Sequence, residues 1–348
     1  MRFFISLALI AWGLCAQTST GPACCRDQKG STSLSPGADR GMGQHMMMNG
    51  MFSPLPRAME SAENPLTAAK VALGRKLFFE TRLSKNGRIS CNSCHDLKSY
   101  GVDGQPTSPG YENKRGNRNS PTVFNAAGHL AQFWDGRAPT VEEQAKGPIL
   151  NPVEMGLPSE QAALTALRAV PEYPAMFRAA FPNDGEPLTF QNLATAIGAF
   201  ERTLVTPSRW DDYLQGDAQA LTADERRGLH TFMMSGCAQC HNGTYVGGSA
   251  YKMLGEKKRY PDQTDVGRFG VTKRKEDRML FKVPSLRNVE RTGPYFHNGE
   301  VASLEDAVSR MGEFQLGKTL SADEVRSIVT WLKTLTSTTI GENPLRLP

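Results

Sequence analysis

After its first fourteen residues, this chain of 348 residues has no apolar run long enough to cross a bilayer, so nothing later in it reads as a membrane span. Net charge is also small. Lys and Arg number 40 against 35 Asp and Glu, and the resulting +5 gives no footing for a dedicated nucleic-acid binder. Strand signals are sparse, which leaves a mainly α fold. Histidine and cysteine are scarce, at six and seven, so where they fall carries information. What is present is a soluble, globular balance: 39% hydrophobic and 22% charged residues, in a chain long enough for two domains.

The opening "MRFFISLALIAWGLCAQ" has one Arg, an apolar run from Phe3 to about Leu14 and small Ala16 near a cleavage point. Residues 1–16 therefore read as a secretory signal peptide and the mature chain as periplasmic. Bulky Leu14 argues against lipid attachment at Cys15. Residues 17–62, rich in Gly, Ser, Pro and Met, read as a flexible leader. Within it "HMMMNGM" (45–51) reads as low-complexity linker rather than a copper site, and adjacent Cys24 and Cys25 cannot easily bridge each other.

The rest contains an internal echo. "LTAAKVALGRKLFFE" from Leu66 and "LTADERRGLHTFMMSG" from Leu221 each carry a Thr cap, a mid-segment Gly and a bulky apolar turn. Thr222 with Glu225, and Ser321 with Glu324, are capping boxes. Val325, Ile328, Val329, Leu332 and Leu335 follow one helical face. The expected organisation is two tandem domains, 63–215 and 216–340, followed by a tail at 341–348.

Each echo leads to the same short motif, "CNSCH" at 91–95 and "CAQCH" at 237–241. Zinc wants a second Cys pair within roughly 15–20 residues, and none is there. A redox pair does not need the trailing His and sits in a βαβ context that is missing. A covalent c-type haem needs both features: two thiols for thioether bonds and an imidazole on the same turn to ligate iron. Chance would give one such motif in roughly one chain in 400 at these Cys and His counts, and two far less often. Two covalent haems are expected, on Cys91, Cys94 and His95, and on Cys237, Cys240 and His241.

Three further stretches, "GNRNSPTVFNAAG", "LAQFWDGRAPTVEEQAKGPILNPVEMG" and "FKVPSLRNVERTGPYFHNGEVASLEDAVSRMG", closely resemble the bacterial di-haem cytochrome c peroxidases, from about Asn64 to Thr336. The resemblance implies two mostly helical cytochrome c-like domains, one calcium ion between them and a homodimer. It implies Glu154 as catalytic acid/base, Gln144 as its partner in the pocket, and Trp134 between the two haems. Asn119, Thr292 and Pro294 match oxygen donors to calcium, which suits a hard cation. Met311 matches the distal ligand of the second haem, where Met with His raises the potential. His297 matches a histidine near that haem, as a hydrogen-bond partner. His129 and His230 read as structural.

Tyr111 departs from the family pattern, which has a His at that loop capping the first haem. A phenol must lose a proton to ligate iron, and "TSPGYENKRGN" has the composition of a mobile surface segment. Tyr111 is therefore expected to swing away from the iron. The function implied is reduction of hydrogen peroxide to water with electrons from a small soluble cytochrome c or blue copper protein. One alternative is a MauG-like di-haem oxidase of a partner protein, against which Met311 speaks, because those relatives have Tyr there. The other is a plain di-haem electron carrier, against which Glu154 and Gln144 speak.

Overall fold

A computed structural model describes residues 50–340. The expected signal peptide, Cys15, Cys24, Cys25, the start of the Met-rich stretch and the 341–348 tail lie outside the described residues. Among the described residues, the α-helices of six residues or more are α1 (Ala68–Phe78), α2 (Val141–Leu150), α3 (Glu160–Arg168), α4 (Glu172–Ala180), α5 (Phe190–Glu201), α6 (Arg209–Leu214), α7 (Ala223–Ser235), α8 (Leu304–Arg310) and α9 (Ala322–Leu332). Strands β1 (Tyr251–Met253) and β2 (Leu280–Lys282) form one short antiparallel pair. The fold is mainly α.

Two helix pairs organise two cores. In the first half α1 crosses α5, and Leu73, Leu77, Leu193 and Ile197 are fully buried with Phe177 and Tyr173 of α4. In the second half α7 crosses α9, around Trp210, Phe232, Ile328 and Trp331. The capping boxes form as expected at Thr222–Glu225 and Ser321–Glu324, and the apolar face from Val325 to Leu335 is buried. The mid-segment glycines have the same job in both pairs. A Cβ at Gly74 would fall 2.5 Å from the Ala196 carbonyl carbon, and one at Gly228 would fall 2.9 Å from the Trp331 Cβ. Each glycine lets two helix backbones approach more closely than any side chain permits.

A second repeat is visible only in three dimensions. Asn125, Phe133 and Gly136 have left-handed backbone, and so do Asn288, Phe296 and Gly299, each pair 163 residues apart (296 − 133 = 163). A 3₁₀ turn follows each Asn. The bridges Gln132–Ala138 and Tyr295–Val301 match, and Thr140 and Ser303 cap α2 and α8. In this register Trp134 corresponds to His297.

The described end of the expected leader differs from its composition. Phe52 is 6% exposed and packs edge-on against Trp210. Met59 is 4% exposed, and its N–H donates to the Arg202 carbonyl at 2.9 Å. Widely spaced apolar anchors, rather than a period, hold residues 51–59, so no periodic signal marks them.

Candidate active site

Both Cys motifs wind into one turn. Cys91–Cys94 is a single helical turn and Cys237–Gln239 a 3₁₀ turn, and the His95 and His241 amides each bond the carbonyl of the first Cys at 3.0 Å. Both thiols and the imidazole therefore come from the same turn. All four cysteines are reduced and half-buried. Burial pushes Cys94 and Cys237 up to about 11 and raises Cys91 and Cys240 too, the opposite of what a redox thiol needs. Burial lowers His95, and lowers His241 to about 4, so both rings are neutral and able to ligate. His95 Nδ1 lies 3.3 Å from the Gly101 carbonyl, which leaves Nε2 for a metal. Among the described residues, no three His, Cys, Asp or Glu side chains converge on a metal position. This donor set fits covalent haem.

Near the first motif, α2 ends at Asn151 and the chain doubles back, with Met155 N–H bonding the Pro148 carbonyl at 3.1 Å and Gly156 N–H the Asn151 carbonyl at 2.9 Å. That turn presents Glu154. Its Oε1 accepts from Asn151 Nδ2 at 2.9 Å. Burial raises the Glu154 carboxyl above its ordinary range, opposed by Arg137 and by the Asn151 bond. The 108–111 loop ties the two turns together. Ser108 bonds the Cys94 thiol, the Tyr111 amide bonds the Glu154 carbonyl at 2.7 Å, and a Cβ at Gly110 would fall 2.8 Å from the Glu154 Cα. The Glu154 turn and the first Cys turn therefore border one site. Gln144, in the first turns of α2, is half-buried, and its side chain makes no hydrogen bond among the described residues.

Tyr111 is less free than its loop composition suggests. Its amide bonds the Glu154 carbonyl at 2.7 Å, and its ring packs over Gly156 between Lys85 and Lys114, at 5.1 and 5.6 Å. Lys114, at 2.8 Å, and then Tyr111 hold the exposed Glu112 carboxyl low.

Trp134 is half-buried and held at both ends. Its Nε1 donates to the Asn119 carbonyl at 2.9 Å, and its own carbonyl accepts from Lys282 N–H at 2.8 Å. Asn119 N–H donates to the His297 carbonyl at 2.7 Å. One residue thus joins the two corresponding loops. Thr292 ends the 3₁₀ turn at 289–291, and Pro294 follows a cis peptide with Gly293. His297 is 2% exposed and stacks on Phe281 at 4.4 Å, and neither ring nitrogen finds a protein partner. Such an orphaned imidazole awaits a group the protein atoms do not supply.

Met311, half-buried, opens a π turn (Met311–Gln315) directly after α8, a distortion that recurs at functional positions. Burial leaves His129 neutral beside Tyr245, with Nδ1 3.4 Å from the buried Lys282 amine, which burial pushes down to about 8. His230 is exposed on α7. Arg118, Asp135 and Lys282 stand in the stretches that carry the resemblance, which implies no role for them, and Asp265 lies outside those stretches; all four surround the Trp134 loop.

The profile of the di-haem cytochrome c peroxidase family matches residues 68–219. Cytochrome c551 peroxidase of Pseudomonas aeruginosa is 48% identical over 298 residues, covering 84% of this chain and 86% of that protein. The protein of the same name from Nitrosomonas europaea is 48% identical over 290 residues, covering 82% and 85%. Among solved structures, a MauG-like protein associated with microbial copper homeostasis superposes with a TM-score of 0.74 at 30% identity, covering 82% of this chain and 94% of that one.

Proposed function

The chain belongs to the di-haem cytochrome c peroxidase family, and from that premise we propose how its residues carry the reaction. It is a peroxidase: hydrogen peroxide takes up two electrons and two protons and leaves as two waters. His95 would hold the iron of the first haem, and that haem, when bound, would supply the electrons that reduce peroxide. Cys91 and Cys94 anchor that haem, and Cys237 and Cys240 anchor the second, in domains of about 63–215 and 216–340.

Glu154 takes one proton from peroxide and returns it to the oxygen that departs as water. The electrons for O–O cleavage would come from the bound haem, and the other oxygen would leave as the second water once two electrons and two further protons have been taken up in all. Burial supports this, because it raises the carboxyl above its ordinary range and so makes the proton it takes easier to hold until it is returned. The bond from Asn151 engages only Oε1. The free Gln144 amide orients the peroxide. His241 and Met311 would hold the second haem, which would supply a one-electron relay from a small cytochrome c or blue copper protein, with Trp134 on the route to the first. Asn119, Thr292 and Pro294 contribute oxygens to a calcium ion beside that route. We further propose that the protein is exported to the periplasm and works as a homodimer. Among the described residues, no helix is long and apolar enough to cross a membrane.

The observation that carries the mechanism is the single site bordered by the Glu154 turn and the Cys94 turn. Glu154→Gln should keep both haem spectra while peroxide turnover with a reduced cytochrome falls by roughly two to four orders of magnitude. Unchanged turnover would remove Glu154 from the mechanism. Covalent attachment is read separately, because acid–acetone should leave both haems on the polypeptide, and extractable haem would refute it.

A further inference from the structure

The Trp134 loop is clamped by an ion-pair cluster of four residues, Arg118, Asp135, Asp265 and Arg137, that spans both halves of the chain, with Arg137 Nη1 3.1 Å from both Asp135 oxygens. Arg118 Nε and Nη2 hold the two oxygens of Asp265 at 2.6 and 2.8 Å, and its Nη1 reaches Asp135 Oδ2 at 2.5 Å. Both aspartates have side chains only 8% exposed. Burial alone would raise the Asp265 carboxyl, but Arg118 and the Gly267 amide outweigh it and hold it low. An arginine of the later half, Arg268, donates to the carbonyls of Asp135 and Gly136 at 2.9 and 3.3 Å, with its guanidinium over the Tyr251 ring. Asp135 directly follows Trp134, and Arg118 directly precedes Asn119, whose carbonyl holds the indole. The forked, bidentate geometry fixes orientation as well as distance.

We propose that Arg118 and Asp265 are positioning residues for electron transfer, holding the Trp134 indole in one register between the two halves. The proposal rests on Trp134 being the route. Arg118 sits on the chain segment before α2, and Asp265 lies 147 residues later. Slippage between the halves would stretch this pair together with the Lys282–Trp134 and Asn119–His297 backbone bonds, and of these ties only the ion pair can be removed by changing a side chain.

The test uses the holoenzyme with its second haem reduced, mixed rapidly with peroxide in excess calcium. Asp265→Asn, which keeps the side-chain shape, should leave the peroxide-dependent step unchanged. The following electron step should slow about tenfold or more, the scale that a misplacement of about 1 Å carries. Asp265→Glu should restore most of the rate. In a Trp134→Phe background Asp265→Asn should add nothing, because both act through one side chain. Equal slowing in both backgrounds, or slowing of both steps together, would overturn the proposal. Deuterium exchange of residues 130–138 reads the positioning without turnover, and it should quicken in Asp265→Asn and recover in Asp265→Glu. If Trp134→Phe leaves the electron step intact, the route is wrong. Exchange then decides the clamp alone, and exchange that does not change overturns it.

Discussion

Replacing Gly74 by Ala tests whether the repeated helix crossings dictate the fold. In isolation the change should help, since Ala in a helix interior is worth about 1 kcal/mol over Gly. Here the new Cβ would sit 2.5 Å from the Ala196 carbonyl carbon and 2.9 Å from Phe200 Cβ. Carbon atoms rest at about 3.5–4.0 Å, so α1 and α5 would have to part by roughly 1 Å. Overpacking of this kind costs about 1–3 kcal/mol. The obstacle is helix backbone, which cannot rotate aside, so the upper end applies. The net loss is about 2 kcal/mol, or a Tm lower by about 4–8 °C at this size. Gly228→Ala meets the Ser327 carbonyl and Trp331 Cβ and should behave alike. Gly147→Ala is the control. It lies on α2, with nothing nearer than Phe133 Cζ at 3.6 Å, and should melt at or slightly above the parent. Calorimetry of the three variants decides. Gly74→Ala melting with or above Gly147→Ala would refute the close-crossing argument.

Two further outcomes are expected. With the Tyr111 hydroxyl turned toward Glu112, electron paramagnetic resonance of the fully oxidised protein at neutral pH should show one high-spin ferric haem beside one low-spin haem; two low-spin signals would mean that the first iron is capped. Glu201 is 4% exposed, and burial, then Glu142, raise it from near 4.5 to about 8. A carboxyl raised by folding gives stability that is complete below about pH 4.5 and lost as pH rises through 8, so Tm should fall between pH 6 and 9. Glu201→Gln should flatten that slope, and an equal slope in the variant would assign it elsewhere.

What the sequence made legible was local. A capping box needs four residues and a Cys-x-x-Cys-His motif needs five, and both form where their residues stand because one turn of backbone satisfies them. The Glu154 stretch was legible only through resemblance, since nothing in its own pattern foretells that α2 doubles back past Pro148. Residues 51–59 were read as leader because Phe52 and Met59 anchor singly, without a period to reveal them. The Arg118 clamp was hidden for a different reason. Its worth depends on Asp265 arriving from 147 residues away, and no spacing within either segment records that meeting. The 163-residue repeat escaped because few identities survive in it, among them Phe133 with Phe296 and Gly136 with Gly299. Both pairs are positions where left-handed backbone constrains the residue more than packing does.

That repeat accounts for how one scaffold can serve two roles. Met311 corresponds to Pro148, 163 residues earlier, and each sits at or just beyond the end of the helix that follows its loop. On α8 the helix widens into a π turn at Met311, and the thioether is available to an iron on the proposed reading. On α2 the same position is a proline, whose ring offers no ligating atom and whose carbonyl accepts the Met155 amide as the chain turns back. The turn that proline helps to close carries Glu154. On the proposed reading, Met311 would supply a ligand in one half, while the other half has instead a carboxylate, Glu154, and the unbonded Gln144 amide. At the loop before each helix the same division recurs. Trp134 is tied by its indole to Asn119, and His297 is tied to that same Asn119 by its backbone. On the proposed reading, the halves are most alike where they support each other and differ at the Pro148–Met311 position, the asymmetry a peroxidase needs if electrons are to enter at one haem and leave at the other.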